Sequence, residues 1–419
     1  MVRSRVALAA LAVLATGCLD SQTIGPRATP SGGAMFQTYI ALGTSISAGV
    51  QSAGISDSTQ SEAFPYLLAQ AMGLAPNTNW FYPGFTAPGC PPPYTNPLTG
   101  ARVGGGSATD CNLISPLNVP SRQAYYNNLG VPSMRVGQAL HISQLLYPAT
   151  DTLQAAMFVT GERNPIDIVT DADPTFVTVE LGANDALHAA TSGDTTLLTP
   201  LALFTAQYDT LATRLAATGA KVALANVPNV GNIPFLTRGV VFFCLNTGAC
   251  PGISATAPFD SSIFVVDPSC APSASGGVGD EMAVGFPATA TIAGALSAGA
   301  PASLNCGTGA ATAGGQPVGP VVSVAAMAAI TARVTAFNAA IASEASTHGW
   351  ALVNIDSAMS VLVASGAIPP FPNLTGTGPI FGAYISLDGF HPTSAAHKLI
   401  ADLFVGAINA KYGAQLTPP

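Results

Sequence analysis

The residues best suited to chemistry lie near the two ends of the chain. Tyr39-Ile40-Ala41-Leu42-Gly43-Thr44-Ser45-Ile46-Ser47-Ala48-Gly49 is a short apolar run that stops at a glycine, presents a hydroxyl and continues into small residues. That pattern reads as a strand ending in a tight turn with Ser45 at its tip. A protonated serine hydroxyl is a weak nucleophile, so it needs a histidine base, a carboxylate to orient that base, and N–H donors for an oxyanion. Near the other end, Leu387-Asp388-Gly389-Phe390-His391-Pro392-Thr393 offers an imidazole and a carboxylate together. Taken singly, each residue also has a plainer reading: Ser45 as a turn or N-cap serine, Asp388 as a helix cap, His391 as a surface loop histidine.

The elements between these ends must bring them together. After the Ser45 turn, Ser61-Glu62-Ala63-Phe64-Pro65 opens a helix with Phe64, Leu67, Leu68 and Ala71 on one face and Gly73 past its end. Residues 75–122 are rich in Pro and Gly, contain Cys90 and Cys111, and read as a disulfide-pinned loop over the site edge. A helix follows from Arg135 to about Leu146, then a strand over 176–181, a helix from about 200 to 217 and a strand over 221–227. Residues 228–320 break this rhythm. They are rich in Gly, Ala, Ser and Pro, carry four cysteines, and show apolar runs only at 240–243 and 263–266. They read as an insertion, serving as a lid, as decoration or as a partner surface. The core resumes with Met327, Ile330, Val334, Phe337 and Ile341 at helical spacing, a strand at 351–355, and a closing helix from Pro392-Thr393-Ser394 with Leu399, Ile400, Leu403, Phe404 and Ile408 inward. Strands alternating with helices predict an α/β fold of three layers, α/β/α, with a mostly parallel central sheet. Ligands gather at the C-terminal ends of such strands, where Ser45 and Asn184 fall.

Four short blocks, in order, carry a resemblance: Gly43-Thr44-Ser45-Ile46, Asn128-Leu129-Gly130-Val131-Pro132-Ser133, Gly182-Ala183-Asn184-Asp185 and Asp388-Gly389-Phe390-His391. Together they make the chain similar to the SGNH, or GDSL-type, serine hydrolases. The resemblance implies a flavodoxin-like SGNH fold, no cofactor and no metal. It implies Ser45 as nucleophile, His391 as base and Asp388 as its orienter. The oxyanion donors it implies are the backbone N–H of Ser45, the side chain of Asn184 and a middle N–H from Ser133, with Gly130 as the alternative. Two departures stand out: Thr44 where the family has Asp, and Ser133 where it has Gly. Asp185 follows Asn184 as in the family and suits a capping carboxylate. Of the other histidines, His141, His188, His348 and His397 have no carboxylate in the family's position, although His188 is close enough to Asn184 to line a pocket. The implied activity is ester hydrolysis on a small-molecule, lipid or glycan ester, including O-acetyl groups of polysaccharide. The competing expectation, encouraged by the two departures, is a weak or inactive lipoprotein that binds or scaffolds.

Composition narrows the setting. Of 419 residues, 48% are hydrophobic and only 8% charged, enough apolar material for a large core and too little charge for a disordered chain. A net charge of −8 without any Lys/Arg cluster argues against nucleic acid as a partner. Mean hydropathy is +0.42, yet after residue 20 every long apolar run has polar interruptions. Arg3 and Arg5 precede a short apolar run ending in Leu14-Ala15-Thr16-Gly17-Cys18. This resembles a bacterial lipoprotein signal over residues 1–18 with Cys18 lipidated, followed by a flexible tether over 19–34 and a hydrolase domain over 35–412. The expectation is an exported lipoprotein held to a membrane by its lipid, facing the periplasm or cell surface. The six remaining cysteines suit an oxidising compartment, and proximity favours Cys90 with Cys111, Cys244 with Cys250, and Cys270 with Cys306.

Overall fold

The computed structural model describes residues 29–111, 125–142, 159–161, 163–248, 262–374 and 378–419. Cys18 and Cys250, and with them the expected lipidation site and one expected cysteine pair, lie outside the described residues. The central sheet is built from β1 (Tyr39–Gly43), β2 (Asn128–Gly130), β3 (Phe176–Glu180), β4 (Lys221–Ala225) and β5 (Ala351–Val353). Their order is β5-β4-β3-β1-β2, and every neighbouring pair is parallel. Successive side chains of a strand point to opposite faces. Ile40, Leu42, Val177 and Val179 therefore enter one apolar layer, while Tyr39, Ala41 and Phe176 enter the other. Burial on both faces is why these strands read as continuous apolar runs.

The helices around this sheet include α1 (Ser45–Ala48), α2 (Phe64–Ala71), α3 (Val136–Leu140), α4 (Pro165–Asp171), α5 (Asn184–Ser192), α6 (Leu201–Ala217), α7 (Val324–Thr347), α8 (Ile355–Ala364) and α9 (Ser394–Tyr412). On one face α6 packs against α7, with the Phe204 and Phe337 rings stacked 3.8 Å apart. On the other, α2 packs against α9 through stacked Phe64 and Phe404 at 4.9 Å. The result is the expected three-layer α/β/α fold. α7 is long and apolar enough to cross a membrane, but its Ile330, Val334, Phe337 and Ile341 are buried in the core at spacings of three and four.

His397 on α9 is completely buried and accepts the Phe64 N–H on Nδ1 at 3.3 Å, joining the start of α2 to α9. Burial, reinforced by the nearby His391, depresses its pKa from 6.5 to about 3. Between those two values the unfolded chain takes up a proton that the folded chain refuses, so this residue makes stability fall as pH falls through that window. We expect His397→Gln, which keeps an acceptor for Phe64, to remove about 1.4 kcal/mol of destabilisation per pH unit across it. Urea unfolding of both proteins at several pH values checks this, and parallel curves would contradict it.

The structure departs from the expected elements in three places. Among the described residues, the helix expected from Arg135 to about Leu146 is the five-residue α3, with His141 already outside helical geometry; positions 143–146 lie outside the described residues. α4, α5 and α8 were not expected; α8 is apolar over most of its length and has no fully buried residue. The stretch 228–320 is built more fully than its weak periodicity suggests. It holds helices Gly239–Thr247 and Phe286–Ser297, two strands of a three-stranded antiparallel sheet that Val321–Val322 completes, and a four-stranded mixed sheet. Phe242, Phe264, Ile292 and Leu304 form a core of its own, and the Cys270–Cys306 disulfide fastens it.

Candidate active site

Ser45 is the first residue of α1, separated from the end of β1 by Thr44 alone, and is 8% exposed. The Thr44 side chain caps this turn by accepting the Ile46 N–H. The turn lies directly on β2. A Cβ on Gly130 would come within 2.3 Å of the Ala48 nitrogen, so only glycine permits the approach. Asn128 secures it by donating from Nδ2 to the Ser47 carbonyl at 2.8 Å.

The two ends of the chain meet here. His391 Nδ1 lies 2.8 Å from Asp388 Oδ2, and His391 Nε2 lies 2.8 Å from Ser45 Oγ. An ionised carboxylate only accepts, so the imidazole proton sits on Nδ1 and Nε2 is free to accept the serine proton. Asp388 is buried, which alone would raise its pKa. The adjacent imidazole and the N–H groups of His391 and Phe390 outweigh that and hold the carboxyl down at about 2. Its oxygens also accept from the Ala53 N–H at 2.6 Å and the Ser386 hydroxyl at 3.2 Å. Ala53 and its neighbour Ser52 both adopt positive φ, 50° and 54°, a costly conformation for side-chain-bearing residues. Ser52 is tied to the same loop, its N–H donating to Ser386 Oγ at 2.8 Å.

Ser45 and His391 open into a cavity of about 390 Å³ that Ser133, Asn184, Phe235 and Phe390 also line. Asn184, at the start of α5, is nearly fully buried and spends one Nδ2 proton on the Met134 carbonyl at 3.1 Å. Ser133 has φ of 61°, the left-handed region that favours glycine. The side chain has thus been accommodated while the backbone keeps a glycine-like conformation. Gly130, the alternative, lies under α1 and does not line the cavity.

With this geometry in place, the family comparison decides the kinship: the model for the GDSL-like Lipase/Acylhydrolase family matches residues 39–404. The chain belongs to this family. No curated protein and no solved structure matches it. Membership makes it a serine acylhydrolase of the GDSL kind in its general class.

Against the family pattern, the Thr44 departure is answered by a residue that the motifs do not single out. Glu180, the last residue of β3, accepts the Thr44 N–H and hydroxyl at 3.0 and 2.9 Å. In the sequence it is the one charged residue of a largely apolar strand, with no local sign of its partner just past β1. Asp185 acts on a neighbouring helix, accepting the Val136 N–H of α3 at 3.1 Å and the Thr199 hydroxyl at 2.7 Å. Burial pushes its carboxyl up to about 6 despite these donors. His188 lines the cavity, and burial plus the charge of Arg135 lowers its pKa. His348 sits 3.5 Å from Glu344 along α7, remote from this cluster in role. Cys90, bonded to Cys111, forms part of the cavity wall, so the first expected disulfide does fasten the loop at the site's edge.

Proposed function

We propose that this protein is an exported serine ester hydrolase in which Ser45, His391 and Asp388 are the catalytic residues. Ser45 Oγ attacks the ester carbonyl carbon while His391 Nε2 takes its proton. The carbonyl oxygen becomes an oxyanion, met by the backbone N–H groups of Ser45 and Ser133 and by the Asn184 amide. Collapse breaks the carbon–oxygen bond to the alcohol, which leaves with the proton from His391. Water then attacks the acyl-enzyme, again giving a proton to His391, and the acid departs as Ser45 recovers its hydrogen. The observation that carries the reading is the continuous Asp388–His391–Ser45 chain of contacts, with both links at 2.8 Å, ending in the cavity wall.

The cavity supports a neutral ester with an apolar acyl group. Among the described residues none of its lining side chains is Asp, Glu, Lys or Arg, and Val50, Ile55, Leu187, Phe235 and Phe390 supply apolar surface. Such walls favour an acyl ester over an O-acetylated polysaccharide, whose many hydroxyls need more partners than Ser133, His188 and Thr191 offer. Arg3, Arg5 and Cys18 in a lipoprotein-like leader, together with disulfides Cys90–Cys111 and Cys270–Cys306, support export and anchoring in a bacterial envelope. The test of substrate class is hydrolysis of p-nitrophenyl esters of increasing acyl length beside a hemisuccinate ester of the same alcohol. We expect the neutral aliphatic esters to be cleaved at least about tenfold faster in kcat/KM. Preference for the charged ester, or for acetylated sugar, would contradict the assignment.

A further inference from the structure

Glu180 is buried at the C-terminal end of β3, directly opposite Gly43 in the parallel pairing with β1. Its carboxylate gathers donors from one short stretch of chain. The Thr44 N–H reaches Oε2 at 3.0 Å, and the Thr44 hydroxyl lies 2.9 Å from both oxygens. The Ser47 N–H and hydroxyl reach Oε2 at 3.2 and 3.0 Å. Thr44 immediately precedes Ser45, and Ser47 follows it by two residues, so the carboxylate grips the nucleophile's turn from both sides. Space for this grip comes from Gly43, where a Cβ would lie 1.9 Å from Ser47 Oγ and 3.1 Å from Glu180 Oε2. Burial raises the Glu180 pKa, and the four donors from Thr44 and Ser47 oppose that rise; in the ionised form these are charge-assisted hydrogen bonds, about twice as strong as neutral ones.

Resting on the hydrolase reading above, we propose that Glu180 is a positioning residue for the reaction: it supplies from β3 the carboxylate that position 44 lacks, and so fixes Ser45 relative to His391 and to the oxyanion donors. Glu180 has no reach to substrate, since it does not line the cavity. Its effect passes through the backbone of residues 44–47. A displacement of the nucleophile by about 1 Å is enough to cost about 10²-fold in rate.

The decisive experiment is a mutant cycle between positions 44 and 180, using the full mature chain and p-nitrophenyl butyrate. Glu180→Gln keeps the shape and one acceptor oxygen, and is expected to lower kcat by about 10²-fold with KM within about twofold. Thr44→Asp alone sets a second carboxylate against Glu180 and is expected to lower kcat as well. In the double variant Thr44→Asp/Glu180→Gln, a single carboxylate again faces the turn from position 44. Its kcat should exceed the product of the two single effects by about tenfold or more, as for coupled residues in contact. A residue that only stabilised the fold would lower the melting temperature, leave the kcat of folded enzyme unchanged and show no recovery in kcat. Unchanged kcat in folded Glu180→Gln, or purely additive losses in the double variant, overturns the proposal. If Glu180→Gln does not fold, Ser47→Ala, which removes one hydroxyl donor, must still lower kcat with KM unchanged, and failure to do so overturns it. Active wild-type protein with an indifferent Glu180 refutes this proposal alone, whereas wild-type protein that cleaves no ester refutes the hydrolase reading.

Discussion

Replacing Ser45 with Ala is expected to lower kcat on a short-chain p-nitrophenyl ester by about 10⁶-fold, the scale seen when a triad nucleophile is removed. The hydroxyl is the only part of Ser45 placed on His391 Nε2, at 2.8 Å. Its loss forbids the acyl-enzyme and leaves only what the oxyanion donors and the cavity do for direct attack by water. Binding should survive. The apolar walls come from other residues, among them Val50, Leu187 and Phe390, and Ala fits within the space of Ser without disturbing α1. The expected signature is therefore a collapse of kcat with KM nearly unchanged, measured by steady-state kinetics on protein whose melting temperature matches wild type. A loss of less than about tenfold would assign the chemistry to another group.

Asp388→Asn is expected to cost about 10⁴-fold in kcat. The aspartate accepts from His391 Nδ1, the backbone N–H groups of Ala53, Phe390 and His391, and the Ser386 hydroxyl. An asparagine with its oxygen in the Oδ1 place keeps the Phe390 and His391 N–H groups and the Ser386 hydroxyl, but its amide nitrogen, in the Oδ2 place, presents N–H to the imidazole and loses the Ala53 N–H as well. His391 must then accept on Nδ1 and carry its proton on Nε2, where it points at Ser45 and cannot take the serine proton. The imidazolium formed during attack also loses its counter-charge. Stopped assays over long incubation should resolve this residual rate, and near-wild-type kcat in the Asn variant would show that Asp388 serves the loop and not the imidazole.

Much of this site could be read from the sequence because its signals are local. A strand ending at Gly43 delivers Ser45, and Asp388 and His391 fall within one turn ahead of α9. The alternation of apolar strands and amphipathic helices likewise gave the layers, since α2, α6, α7 and α9 each bury a periodic face. What escaped was non-local or lacked contrast. Glu180 meets Thr44 across a pairing of β1 with β3, and the sequence separation of 136 residues conceals it. The buttress from Ala53 to Asp388 depends on positive φ at residues whose types do not announce it. Ser133 looks in the sequence like a lost glycine, whereas its φ of 61° preserves the glycine's backbone conformation. In the helix Phe286–Ser297, Phe286, Thr289, Ile292 and Leu296 are buried, but the intervening Ala, Thr and Gly residues blur the period.

The central claim is that His391 activates Ser45, and covalent labelling with a fluorophosphonate tests it most directly. Peptide mapping of the folded wild-type protein should place one phosphonyl group on Ser45, and folded His391→Ala should label more slowly by several orders of magnitude. Label on a different residue, or equal rates at Ser45 in the two proteins, would contradict the account.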